Sequence, residues 1–308
     1  REYGRTYEGT PLIYAAITSP DNQARLEEIR KVNLKLAEQP ETLSPADLKE
    51  MPLVIYIGCG IHGNESSGGD AATMLLYHLA AGRGSMVEDL LDRMVILLDP
   101  MINPDGRNRF VGWVNGNRGR VPTADLSDRE HNEPWPGGRS NHYWYDMNRD
   151  MLPVALKETA FRLQLFYHWR PQLVTDHHEQ GRTSTFFFQP GIPSGNNPNT
   201  PKSTVDLTGR IAEYHARELD RIGSLYFSGE VYDDFYYGKG SSYPDINGAV
   251  GILFEQASSR SLLTRGANGE MSYGFTVRNQ LATMISTLKA GMELRRDLLA
   301  NQRDFYLS

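Results

Sequence analysis

An α/β fold with a mostly parallel central sheet is what this chain predicts, and three observations predict it. Two apolar runs, residues 53–57 and 173–175, each lead into a tract rich in imidazole and carboxylate groups, His62 to Glu65 and Asp176 to Glu179. Parallel sheets carry their chemistry at such strand ends. The first run is followed by a helical pattern and then by a third apolar run at 94–98, the strand–helix–strand order of a parallel sheet. Finally, 308 residues with 39% hydrophobic and 23% charged content suffice for one large core, so a single domain is expected.

The elements follow from periodicity and punctuation. Residues 12–18 read as a strand. Residues 21–38 read as a helix with apolar positions at Leu26, Ile29 and Leu36, stopped by Pro40. After the strand at 53–58, residues 66–81 form a helix with Met74, Leu75 and Leu79 on one side, ending near Gly82, and 94–99 form the next strand. Residues 105–146 are rich in Gly, Asn, Pro, Arg and Trp and read as a long loop bordering a cleft. A helix at 156–168, strands at 173–177 and 185–189, a turn-rich stretch at 190–201, a helix at 206–221, a short strand at 251–255 and a helix over 273–299 complete the chain.

Charge and composition narrow the function classes. A net charge of −6 lacks the basic excess of a nucleic-acid binder. No run of 18 apolar residues is present, so no membrane span is expected. The single cysteine, Cys59, excludes an intramolecular disulfide framework. It stands three residues before His62, but no residue to orient a Cys–His pair is identifiable, and a strand cysteine is more often a small buried hydrophobe.

The His62–Glu65 pair carries more. An imidazole and a carboxylate three residues apart can converge on one small ion, and both suit zinc, which in catalytic sites takes three protein ligands and leaves one position open. The third donor is expected at the strand end holding His177 and His178. Neighbouring strand side chains point to opposite faces, so only one of the two can readily reach the metal.

With Asn103-Pro104-Asp105-Gly106, Asn148-Arg149 and Phe254-Glu255 further along, and Gly4-Arg5-Thr6-Tyr7-Glu8-Gly9-Thr10 at the start, the chain resembles the M14 family of zinc metallocarboxypeptidases, whose motifs occur in this order. Thr10 stands where that family usually has arginine. The resemblance implies one zinc ion held by His62, Glu65 and His178, with His177 structural and Asp176 steadying an imidazole. It implies that Glu255 is the general base, and a carboxylate after a glycine and three apolar residues needs either a partner or a task. Asn148 and Arg149 are the implied grip on a substrate's terminal carboxylate, a role suited to a planar guanidinium.

The implied carbonyl-polarising arginine is Arg109 in preference to Arg118. The implied closing tyrosine is Tyr243 in preference to Tyr236 or Tyr237, and Asn103 and Asp105 are expected to shape a turn. The partner is then a peptide with a free C-terminal carboxylate. The resemblance also implies a helix and a strand before Arg1, so residues 1–308 are expected to be a catalytic domain truncated at its N-terminus, secreted or periplasmic, with any leader upstream. Two rivals remain: a zinc amidohydrolase acting on a murein peptide or an N-acyl amino acid, and a catalytically silent binding module. The second would be expected to have lost a ligand or the base.

Overall fold

A computed structural model describes residues 1–308. Its central sheet has seven strands, β1 (Ala15–Ile17), β2 (Leu53–Cys59), β3 (Met94–Asp99), β4 (Leu173–Gln180), β5 (Phe186–Phe188), β6 (Tyr226–Phe227) and β7 (Val250–Ala257). They lie in the order β1-β3-β2-β4-β7-β5-β6. The four central strands β3, β2, β4 and β7 run parallel, whereas β1 and β5 pair antiparallel with β3 and β7. The fold is the expected mixed, mostly parallel α/β domain. The main helices are α1 (Leu26–Glu38), α2 (Ser67–Ala81), α3 (Ser85–Arg93), α4 (Pro104–Asn117), α5 (Lys157–Trp169), α6 (Lys202–Arg221), α7 (Tyr273–Glu293) and α8 (Arg295–Leu307).

Because successive strand side chains alternate, each central strand feeds two cores. Leu53, Ile55 and Ile57 of β2 join Met94, Ile96 and Leu98 of β3 against Leu75 of α2 and Met284 and Leu288 of α7. Val54, Tyr56, Val95 and Leu97 face the other way, against Leu26 and Ile29 of α1 and Phe166 and Trp169 of α5. Burial of each large side chain contributes about 1.5–3 kcal/mol. That two-sided burial explains why these strands read as unbroken apolar runs.

The same alternation aims the chemistry. In β4 it sends Val174 and His178 to one face and His177 to the other. In β7 it turns Phe254 into the larger core and Glu255 away from it. The β4–β7 register places His178 opposite Glu255.

Several elements differ from the sequence expectation. The stretch 12–18 breaks at buried Tyr14: Pro11–Ile13 pairs with Glu2–Arg5 in a separate hairpin, and only Ala15–Ile17 joins the sheet. The expected helix at 21–38 breaks at Arg25 into Pro20–Ala24 and α1. The first third of the supposed loop 105–146 is α4, started by Asn103, whose side chain accepts the Gly106 N–H at 2.9 Å, and by Pro104 in the first turn. Its glycines masked the helical pattern. The stretch 273–299 turns at Leu294 between α7 and α8. Neither α3 nor the hairpin of Leu263–Gly266 with Gly269–Ser272 was anticipated.

Gly251 shows how tightly β7 is fitted. A Cβ there would stand 1.7 Å from the Ser241 carbonyl oxygen, and its N–H donates to Asp245 Oδ1 at 2.9 Å. Gly251→Ala is therefore expected to lose at least about 1–3 kcal/mol of stability by overpacking, read as a fall in the urea midpoint. An unchanged midpoint would mean that the Ser241 segment yields without cost.

Candidate metal centre and active site

The loop after β2 and the end of β4 bring three buried donors together. The ligand atoms of His62, Glu65 and His178 lie within 4.8 Å of one another. Glu65 Oε1 is 2.9 Å from His62 Nδ1, Glu65 Oε2 is 2.9 Å from His178 Nδ1, and the two Nδ1 atoms are 3.1 Å apart. The carboxylate is fixed from behind by the Glu179 N–H, which donates to Glu65 Oε2 at 3.0 Å. Glu179 in turn accepts from the Ser67 N–H and hydroxyl at the start of α2 and from the Ser258 hydroxyl beyond β7. The loop, α2 and two strand ends are thus tied together.

The electrostatics fit a divalent cation. His62 Nε2 lies 3.0 Å from Asp146 Oδ1, a contact that keeps the ring proton on Nε2 and leaves Nδ1 as a lone pair. His178 Nε2 lies 3.0 Å from Asp176 Oδ2, off the direction of a formed hydrogen bond, since that oxygen has no hydrogen-bond partner. Two ring nitrogens and a carboxylate then face one small volume, which only protons or a cation can relieve. Burial opposes ionisation of Glu65, yet the two imidazoles hold its carboxyl well below the usual range. Against the same burial, Glu65 and Asp146 raise His62, and Asp176 and Glu65 raise His178. Two histidines and a glutamate form an established catalytic zinc set, and these residues fit it.

Glu255 stands beside this cluster from β7. Burial, with Glu65 adding to it, pushes its carboxyl up to about 7 against the pull of His178. His177 points the other way: its Nδ1 is 2.8 Å from Gln280 Oε1, and its ring stacks on Phe254 at 4.6 Å. Burial lowers it to about 4. It is a neutral core histidine, as expected.

Asn148 is buried, with its Oδ1 accepting the Gly240 N–H at 2.7 Å and its Nδ2 3.2 Å from His178 Nε2. Arg149 is exposed and donates one bond inward, to the Asn148 carbonyl at 2.8 Å. Asp150 does not compete for it, because its carboxylate accepts the Ala155 and Leu156 N–H groups ahead of α5. Asn103 and Asp105 are structural, with Asp105 accepting from Thr6 and Glu8.

Two expected residues are not brought to the cluster. Arg109, on α4, spends its guanidinium on the carbonyls of Gly137, Ser140 and Asn141. Tyr243 is buried in the smaller core, its hydroxyl 2.6 Å from that of Tyr167 and its ring against Phe166. The guanidinium at the cluster is that of Arg139, with Nη1 3.3 Å from His62 Nδ1 and 3.4 Å from Glu65 Oε1, and Nη2 2.8 Å from Asp146 Oδ2. Arg109 braces the loop that carries it. Among the tyrosines, Tyr232 is electrostatically closest to the site: burial, then Glu255 and Glu65, raise its hydroxyl, which donates to Gln180 at 3.0 Å. Tyr236 donates to the Arg149 carbonyl at 3.0 Å. The signal missed was the position of Arg139 seven residues before Asp146.

Residues 1–255 match the Peptidase_M14 family, described as zinc carboxypeptidase. Among curated proteins, Carboxypeptidase 2 of Trichophyton rubrum is 30% identical over 127 residues, covering 41% of this chain and 18% of that protein. Human Carboxypeptidase D is 24% identical over 246 residues, covering 70% of this chain and 16% of that protein. The chain thus spans less than a fifth of either. Among solved structures, a metallo-carboxypeptidase from Burkholderia cenocepacia superposes with TM-score 0.63 at 14% identity, covering 94% of this chain and 63% of that one. A carboxypeptidase A from Helicoverpa armigera gives 0.59 at 16% identity, covering 96% and 68%. These likenesses are of fold.

The donor geometry predicts distinct outcomes for neighbouring substitutions, read as zinc retained by the purified protein. His178→Ala is expected to lose tightly held zinc. His177→Ala should keep it while losing stability, and Asp146→Asn should weaken affinity roughly 10–100-fold. Full retention by His178→Ala would move the ligand elsewhere.

Proposed function

The chain belongs to the Peptidase_M14 family of zinc carboxypeptidases, and from that premise we propose that it removes the C-terminal residue from a peptide whose terminal carboxylate is free. The observation that carries this reading is the register of β4 against β7, which sets Glu255 opposite His178 and so puts a partly desolvated carboxylate next to a His2Glu donor set.

His62, Glu65 and His178 would hold zinc. Bound there, zinc supplies a Lewis acid for a water and for the scissile carbonyl. Glu255 takes the proton of the attacking water and delivers it to the leaving amine, a shuttle suited to a carboxyl held above its ordinary range. Arg139 offers the cation nearest the donor cluster and so is the group to stabilise charge developing on the carbonyl oxygen. Arg149, with most of its fork free of internal partners and with Asn148 beside it, recognises the terminal carboxylate. Tyr232 packs its ring on Phe187, the cross-strand partner of Glu255, and would cover the bound chain end. Asp146 acts through the His62 imidazole, steadying its orientation, and Asp176 adds negative charge beside His178.

A small N-acyl amino acid or a murein peptide offers the same terminal carboxylate and is the rival substrate class. No observation favours it.

Glu255→Gln is expected to keep zinc and fold while losing on the order of 10² to 10⁴ in kcat. Survival of activity within a few-fold would make Glu255 structural. A peptide and its C-terminally amidated twin should differ by roughly two orders of magnitude in kcat/KM, and Arg149→Ala should shrink that gap. Equal cleavage of the two by the parent enzyme would refute the exopeptidase reading.

A further inference from the structure

At the other end of the sheet, five cations line one cavity. Met51 and Pro52 lead into β2, Asp92 and Arg93 into β3, and Arg295 and Arg296 open α8. Together with Arg25, Lys49 and Glu50 they line an open pocket of about 370 Å³, in which every cation but Arg295 is solvent-exposed. The site described above lies at the carboxyl ends of these parallel strands and this pocket at their amino ends, so a seven-residue β2 separates them by roughly 20 Å.

The cavity is electrostatically unbalanced. The chain as a whole carries −6, yet only Glu50 and Asp92 oppose the five cations here. Two neighbouring carboxylates are engaged elsewhere, Glu27 by Arg30 and Asp297 by Arg210, while Glu28 shares an adjoining groove with Arg25. The side chains of Lys49, Arg93 and Arg296 make no internal hydrogen bond or ion pair, and Arg25 has the neutral Asn22 amide as its partner, at 3.1 Å. At the back sits Arg295, buried, donating to the carbonyls of Leu48, Met51 and Lys49. It is rigidly held, and its charge cannot swing away. Burial, then Arg93 and Arg296, lower its pKa, the sign expected where like charges crowd one another.

A flexible surface arginine ordinarily finds a carboxylate or spreads into water. A fixed, buried one facing several unpaired cations across a polar cavity is the lining that a multivalent anion completes. Guanidinium groups match tetrahedral oxyanions by paired N–H donation, and the volume admits a small phosphorylated molecule.

We propose that the pocket between Arg25, Lys49, Arg93, Arg295 and Arg296 binds a phosphate-class oxyanion, at a site separate from the peptidase centre. Free phosphate and a phospholipid headgroup present the same chemistry, and the two are told apart by experiment. Neither depends on whether the protein cleaves peptides.

The test measures Tm and calorimetric binding at constant ionic strength as chloride is exchanged for inorganic phosphate, with a parallel arm of vesicles containing a phosphatidate. The expected result is a saturable phosphate-specific rise in Tm, with affinity weakened about tenfold or more in Arg93→Gln and in Arg296→Gln. Without the anion at low salt, both variants should be at least as stable as the parent, because each removes repulsion. Arg149→Ala should leave the rise intact. Retention on the vesicles, lost in Arg93→Gln, would identify the headgroup as the source, whereas saturation by phosphate without retention would identify the free anion. The proposal is overturned by the absence of any phosphate-specific rise, by a rise that survives both variants, or by one lost in Arg149→Ala, which would place the anion at the peptide site.

Discussion

A carboxylate with no access to water must be held by its neighbours, and in this fold that carboxylate is Glu65. It faces two imidazole nitrogens and accepts the Glu179 N–H, so its position is set by the end of β4 as much as by its own loop. Without such contacts, burying its charge would cost several kcal/mol. The neighbouring Glu179 repeats the arrangement one layer back, bound by Ser67 and Ser258. The pair joins the start of α2 to the ends of β4 and β7. What looks like a metal site is also the knot closing the carboxyl end of the sheet.

Around that knot the strands act as rulers. Alternation along β4 separates two adjacent histidines into a neutral, stacked core residue and a donor, and the same rule in β7 separates Phe254 from Glu255. A slip of one residue in either strand would exchange their roles, and the buried apolar faces prevent such a slip. The oily interior of the sheet is thus what keeps Glu255 beside the donor set.

The parts legible in the sequence were those governed by this periodicity. The strands β2, β3, β4 and β7 read as apolar runs, and His62, Glu65, His178 and Glu255 stand out as polar groups terminating or following them. Arg139 and Tyr232 do not, because they lie in irregular segments positioned by distant partners: the Arg109 brace for one, Gln180 for the other. Arg109 follows the Asn103–Gly106 turn closely in sequence, but nearness in sequence says nothing about where a guanidinium points. Tyr243 is instead taken up by the smaller core, its ring against Phe166 and its hydroxyl on that of Tyr167. Helix α4 was hidden by Gly106, Gly112 and Gly116, with a capping asparagine as its main local signal.

The brace between α4 and the segment 137–141 has a further consequence. Arg139 and Asp146 are carried on one short turn whose base is clamped by Arg109 and whose interior is tied by Asn141 to the Tyr143 and Tyr145 N–H groups. The chain between Arg118 and His131 enters the clamp from outside and bears no part of it. Insertions or deletions there leave the spacing of the chemistry in space unchanged while shifting its spacing in sequence. Counting residues from one motif to the next therefore loses meaning across this stretch, and the place of Arg139 is better read backwards from Asp146, which shares its turn.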